Sequence, residues 1–206
     1  MTASTLERRA FALDSCKIET RSEGGGQPKI FGHAAIFDSL SENLGGFREL
    51  IKPGAFTKAV QQDDIRALFN HNADHILGRN KSGTLALSED GRGLAIEITP
   101  PDTTIGRDVL KSIERGDISQ MSFGFTVRAG GEQWTEDENG DTIRILSDLK
   151  LFDVSPVTFP AYPQTDVAVR SLTDYRTRQV DQANQPNKTG NLEHYKRRLR
   201  VLELSQ

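Results

Sequence analysis

Short apolar runs recur between residues 29 and 170 and are sparse elsewhere. Lys29 to Phe37, Ile65–His71, Thr84–Ser88 and Leu94–Thr99 read as strands, bounded by polar or turn-forming residues. Glu89-Asp90-Gly91-Arg92-Gly93 carries the Asp-Gly signal of a hairpin between the last two. A second hairpin is predicted at Glu138-Asn139-Gly140-Asp141, joining Glu132–Thr135 to Thr142–Leu146. Ile118–Val127 and Lys150–Thr158 complete the strands. Two helices interrupt them. Pro53 to Gln61 opens on a proline suited to a first turn. Thr103 to Arg115 has Asp102 as its predicted N-cap, Gly116 as its stop, and Ile105, Val109, Leu110 and Ile113 on one face. Strands outnumber helices and mostly follow one another. The expected fold is therefore mainly β with flanking helices (α+β): a closed or half-closed, mostly antiparallel barrel.

Outside this zone the pattern weakens. Residues 1–28 are polar, include Ser22-Glu23-Gly24-Gly25-Gly26, and are expected to be a flexible N-terminal segment. Residues 171–191, rich in Gln, Asn, Asp and Thr, read as a polar linker without order of its own. Residues 192–206 are predicted to form a short basic amphipathic helix, with Leu192, Leu199 and Leu202 among Lys196, Arg197, Arg198 and Arg200. The four segments are thus 1–28, 29–170, 171–191 and 192–206.

Composition narrows the function classes. With 35% apolar and 27% charged residues in 206, the chain can bury a core without disulfides or a structural metal. One cysteine, Cys16, excludes a disulfide framework and a Cys-rich zinc module, and fits a reducing compartment. No apolar run reaches 18 residues, and Met1 to Arg9 lacks the apolar stretch of a secretory signal, so no membrane partner is expected. The net charge of −3 is unevenly spread. Arg170 to Gln206 holds eight Lys/Arg against four Asp/Glu, leaving 18 against 25 in the rest. An acidic body argues against nucleic acid as a required partner.

Few residues offer chemistry. His71 ends a strand-like run, a rigid mount with solvent access that suits a general base. His75 lies four residues on, but Asn72 stands where a zinc protease has its Glu, the setting is strand and loop, and no third ligand presents itself. No metal is expected. Ser122 sits between apolar neighbours in Gln120-Met121-Ser122-Phe123-Gly124-Phe125, where its hydroxyl must find a partner at a cost otherwise of roughly 1–3 kcal/mol. With Gln120 in place of a glycine this is not the Gly-x-Ser-x-Gly elbow, and Ser119 is a weaker rival. Asp153, inside Leu151-Phe152-Asp153-Val154, needs a polar partner and could orient an imidazole; Asp148 is its rival. Cys16 has no histidine beside it in sequence and reads as incidental.

Six segments taken together carry a resemblance: Gly32-His33-Ala34-Ala35-Ile36-Phe37-Asp38, Arg48-Glu49-Leu50-Ile51-Lys52-Pro53-Gly54-Ala55-Phe56, Leu68-Phe69-Asn70-His71, Ile76-Leu77-Gly78-Arg79, Ser119 to Phe125, and Leu151 to Ala161. In this order, over roughly residues 29 to 170, the series resembles the prohead maturation proteases of tailed bacteriophages. That family is similar in fold to the herpesvirus assemblins. The resemblance implies a serine endopeptidase that needs no cofactor. It would act in the host cytoplasm inside the assembling prohead, on scaffold, on the scaffold-like arm of the major capsid protein, and on itself. It assigns His71 as the catalytic histidine, Ser122 as the nucleophile and Asp153 as the third member, in an order shared with neither chymotrypsin, subtilisin nor the α/β-hydrolases. His33 matches the pattern as a structural residue. The assemblin arginine pair is not matched, since Phe159-Pro160-Ala161 occupies that stretch, so the oxyanion donors are expected to be backbone N–H groups. Assemblins work as dimers, which leaves homo-oligomerisation open. The alternative is a catalytically silent assembly protein of the same fold that binds capsid or scaffold.

Overall fold

The computed structural model describes residues 6–10, 18–21, 28–159 and 166–183. In chain order these form β1 (Glu7–Ala10), β2 (Ile18–Arg21), β3 (Lys29–Ile36), β4 (Arg48–Ile51), α1 (Thr57–Gln62), β5 (Arg66–Phe69), β6 (Asn72–Arg79), β7 (Leu85–Glu89) and β8 (Gly93–Ile98). There follow α2 (Thr104–Arg115), β9 (Gln120–Val127), β10 (Glu132–Glu136), β11 (Thr142–Leu146), β12 (Leu149–Val157) and α3 (Asp166–Ala183). The chain divides into two compact units, Met1–Arg170 and Ser171–Gln206.

The first unit is mainly β with flanking helices, as the pattern predicts, but its strands do not close a barrel. They form three open sheets, ordered β1-β9-β12-β5-β6, β2-β3-β8-β7 and β10-β11-β4. Closure would require β1 to hydrogen-bond β6. Instead β6 begins with Asn72, Ala73 and Asp74 turned to solvent, an edge whose polar side chains have nothing to gain from burial. Pairing is antiparallel except for β12 with β5 and β11 with β4.

Alternation explains which faces meet. Along β9, Met121, Phe123 and Phe125 enter the core while Ser122, Gly124 and Thr126 face the other way, and both sets are buried. Phe123 meets Phe56 edge to face at 5.6 Å and Phe125 at 5.1 Å. These rings, with Ile30, Ile65, Leu77 and Leu94, form the central cluster. Burial of each is worth roughly 1.5–3 kcal/mol.

Several expectations need correction. Residues 7–10 and 18–21 are strands of two different sheets, so residues 1–28 are not simply a flexible segment. α1 begins at Thr57, because Gly54, at φ +93°, places Pro53 to Phe56 in a turn. The N-cap of α2 is Thr103, whose hydroxyl accepts the Gly106 N–H at 3.2 Å, while Asp102 pairs with Arg107 at 2.6 Å. Residues 171–183, expected within a linker, are helical in α3. The helix predicted over 192–206 lies outside the described residues. Among the described residues no helix is long and apolar enough to cross a membrane.

Candidate active site

Three side chains converge on the face of β9 opposite the core. Ser122 is on that face because its neighbours Met121 and Phe123 take the other. Asp153 reaches it through an irregularity. β12 runs antiparallel to β9 with Leu151 opposite Phe125, but Asp153 is opposite Gly124, so Phe152 is one residue too many. Without that bulge Asp153 would share the core parity of Leu149 and Leu151. With it, Val154 and Pro156 take the core side, and Asp153 and Ser155 line up beside Gly124 and Ser122. Gly124 leaves room for the carboxylate: a side-chain carbon there would land on Asp153 Oδ1.

His71 arrives from the next strand over. Phe69 pairs with Asn72, so Asn70 and His71 are the two central residues of a tight hairpin. Their φ angles are +54° and +56°, the sign that a type I′ turn requires at both positions. Neither is glycine, and strain of this kind persists only where surrounding contacts enforce it. Here they do. The Asn70 N–H donates to the Pro156 carbonyl at 3.0 Å, and its side chain accepts from the Thr158 N–H at 2.8 Å and donates to Thr158 Oγ1 at 3.1 Å. The turn is thereby clipped to the end of β12, the strand that carries Asp153.

The resulting geometry is a relay. His71 Nδ1 lies 2.5 Å from Asp153 Oδ2, and His71 Nε2 lies 2.7 Å from Ser122 Oγ. A carboxylate at Nδ1 keeps the ring proton there, which leaves Nε2 as the acceptor facing the hydroxyl. Ser155 Oγ donates to the same Asp153 oxygen at 2.7 Å and fixes the carboxylate from its other side. The Arg9 carbonyl, 2.9 Å from Ser122 Oγ, is a second acceptor that competes with His71 Nε2 for the one hydroxyl proton. The ring and the carboxylate are 8% and 9% exposed, and Ser122 is 0% exposed. A general base within reach of a hydroxyl, itself oriented by a buried acid, is the arrangement that activates a serine for attack on an acyl carbon.

The rivals lie elsewhere. Asp148 binds Lys58 at 2.6 Å and approaches Arg128 at 3.5 Å. His75 stacks on Phe69. His33 pairs with Asp90 at 2.8 Å, in another sheet. Ser119 precedes β9, and Cys16 lies outside the described residues.

Residues 16–182 match the family model described as the caudovirus prohead serine protease. The chain belongs to this family. The chain also resembles a solved structure, that of the bacteriophage T4 capsid assembly protease, gp21, at 12% identity. That match covers 76% of this chain and 98% of the other, with a TM-score of 0.49. No curated protein matches. Membership of the prohead serine protease family makes the chain a serine peptidase of phage capsid maturation.

Sequence reasoning missed the shell behind this site. Arg9, on β1, donates to Glu49 on β4 at 2.5 and 2.9 Å and to Glu7 at 2.6 Å. Arg144, on β11, donates to Glu7 at 2.8 and 3.0 Å, to Glu49 at 2.8 Å and to Glu132 at 2.7 Å. Glu7, Arg9, Glu49 and Arg144 are all buried. Burial alone would raise the pKa of Glu49, but Arg9 and Arg144 overrule it and hold the carboxyl below its ordinary range. Burial likewise works to lower Arg9 and Arg144, and their carboxylate partners raise both instead. The available signal was Glu7-Arg8-Arg9, where alternate positions carry opposite charge.

Proposed function

We propose that this chain hydrolyses peptide bonds through Ser122, with His71 as general base and Asp153 as the residue that orients it. The observation that carries this reading is the single imidazole within hydrogen-bond reach of both the hydroxyl and the acid. Ser122 Oγ attacks the scissile carbonyl as its proton passes to His71 Nε2. The tetrahedral oxyanion is met by backbone N–H groups, and the imidazolium then protonates the leaving amine. Water, activated by the same imidazole, releases the acyl-enzyme. Asp153 stays ionised throughout and stabilises the imidazolium.

The substrates we assign are scaffold, the scaffold-like arm of the major capsid protein, and the protease itself, cleaved inside the assembling prohead. Support for these substrates comes from membership of the prohead protease family. The test is intact mass of the wild type and of Ser122→Ala, each expressed with the cognate capsid protein. Fragments are expected with Ser122 only. The same fragments in the Ser122→Ala sample would overturn the assignment, and full-length capsid protein in both would favour a binding role. A fluorophosphonate probe on Ser122 reads activation of the hydroxyl independently of any substrate.

A further inference from the structure

A nucleophile that is 0% exposed cannot meet a peptide carbonyl, so something in this structure stands in the way. His71 and Ser155 cover Ser122 as parts of the site itself, and the remaining neighbour in the sheet is β1. β9 is flanked on one side by β12, which carries Asp153, and on the other by β1, the edge strand of the sheet. A peptide that lies extended along β9 and presents a carbonyl to Ser122 must use the flank that β1 occupies. In that flank Ala10 stands opposite Ser122 and Arg9 opposite Phe123. The nearest carbonyl already contacts the hydroxyl: Arg9 O accepts from Ser122 Oγ at 2.9 Å. A hydroxyl has one proton, and while Arg9 O holds it, His71 Nε2 does not. The contact is a hydrogen bond to the carbonyl oxygen, a resting arrangement and not an attacking one.

The anchors of β1 suit an exchangeable strand. Glu7 and Arg9 point to the face away from Ser122, Glu7 toward Arg144 and Arg9 toward Glu49. Withdrawal of β1 removes one acid and one base together. Glu49 and Arg144 then retain each other at 2.8 Å, so neither buried charge is stranded, which is the expensive outcome.

We propose that β1 is a resident pseudosubstrate. It holds the strand position of the substrate along β9, keeps Ser122 at rest, and exchanges with an extended peptide that offers an acid to Arg144 and, two residues on, a base to Glu49. This rests on Ser122 being the nucleophile of the proposed function. Recognition is then by strand addition, main-chain bonds supplying affinity and alternate side chains supplying selectivity.

The experiment measures fluorophosphonate labelling of Ser122 in the full chain, in a variant lacking residues 1–10, and in Glu7→Ala, with folding of each checked by circular dichroism and thermal melting. The truncated protein is expected to label at least about tenfold faster, the factor for β1 in place in nine molecules of ten. Glu7→Ala, which keeps the whole chain and loses one anchor, falls between the two, and it decides the matter if the truncation does not fold. A synthetic peptide of residues 5–12 restores protection to the truncated protein, and the same peptide with its Glu7 and Arg9 side chains exchanged does not. Folded variants that label at the full-chain rate, or equal protection by both peptides, would overturn the proposal. No labelling in any form refutes Ser122 as an activated nucleophile, and the strand exchange falls with it.

Discussion

Replacing Gly124 with alanine puts a methyl group where the Asp153 carboxylate lies. Gly124 has ordinary extended backbone, so alanine costs nothing in φ, and the whole effect is steric. The added carbon would overlap Asp153 Oδ1 and stand 3.3 Å from Asp153 Cγ, with the Leu6 methyl at 3.8 Å. To restore van der Waals contact the carboxylate must retreat by about 1 Å. The 2.5 Å contact with His71 Nδ1 then opens to about 3.5 Å, beyond a hydrogen bond. Displacement of a catalytic group by that distance costs about 10²-fold, and loss of the acid's control of the tautomer about 10⁴-fold. The expected fall in kcat is therefore about 10²- to 10⁴-fold, or roughly 2.7–5.5 kcal/mol of transition-state stabilisation. Overpacking adds about 1–3 kcal/mol of instability. The assay is single-turnover cleavage of a capsid-arm peptide by Gly124→Ala, Asp153→Asn and the double variant, with Tm recorded for each. Because both substitutions act through one hydrogen bond, the double variant is expected within about threefold of Asp153→Asn. Gly124→Ala retaining wild-type kcat, or effects that multiply in the double variant, would refute the assigned role of Asp153.

Asp153→Asn is expected to lower kcat by about 10⁴-fold, whereas Asp148→Asn keeps activity and loses at most about 1 kcal/mol by chemical denaturation, the scale of a surface ion pair. Asn70→Ala costs about 1–2 kcal/mol through its left-handed backbone and lowers kcat by loosening His71; Asn70→Gly removes the strain but not the loss of the Thr158 clip, so its Tm stays above that of the alanine variant. Arg144→Met leaves Glu7 and Glu49 buried with Arg9 alone, and urea titration is expected to show a loss of about 3–5 kcal/mol. The hydrogen bond from His33, helped by the Gly93 and Arg92 N–H groups, lowers Asp90 from 3.8 to about 2. Its folded pKa lies below the unfolded one, so its stabilisation is present above about pH 4 and lost as pH falls toward 2. Asp90→Asn is expected to flatten the dependence of Tm on pH across that window.

The strands that read clearly from sequence are those whose burial is one-sided or whose turns carry Gly. β7 and β8 meet across Asp90-Gly91, and β10 and β11 across Asn139-Gly140, as their patterns predict. His71, Ser122 and Asp153 could be singled out as chemically unusual residues in apolar settings, and the fold brings those three together. What alternation could not convey was the parity of Asp153, because one extra residue at Phe152 reverses every side chain before it relative to those after. The hairpin at Asn70-His71 escaped notice because it reaches positive φ without glycine. β6 shows no strand pattern in sequence since its first half is an exposed edge, and β1 read as a tail since its buried positions are charged. Burial of Glu7 and Arg9 depends on Glu49 and Arg144, which lie 40 or more residues away. No local pattern encodes such a partnership.

The position of β12 governs when the relay can exist at all. It is the last described strand in the chain and the middle strand of its sheet, and in that sheet it alone joins β9 to β5. Before residues 149–157 emerge from the ribosome, the Ser122 strand and the His71 hairpin have no ladder between them. The turn at Asn70 also lacks the Pro156 and Thr158 groups that hold it. Such long-range pairing is slow to form and comes late in folding. On the proposed function, a nascent chain is therefore proteolytically silent until almost the whole first unit has been translated, and a prematurely terminated product has no assembled relay.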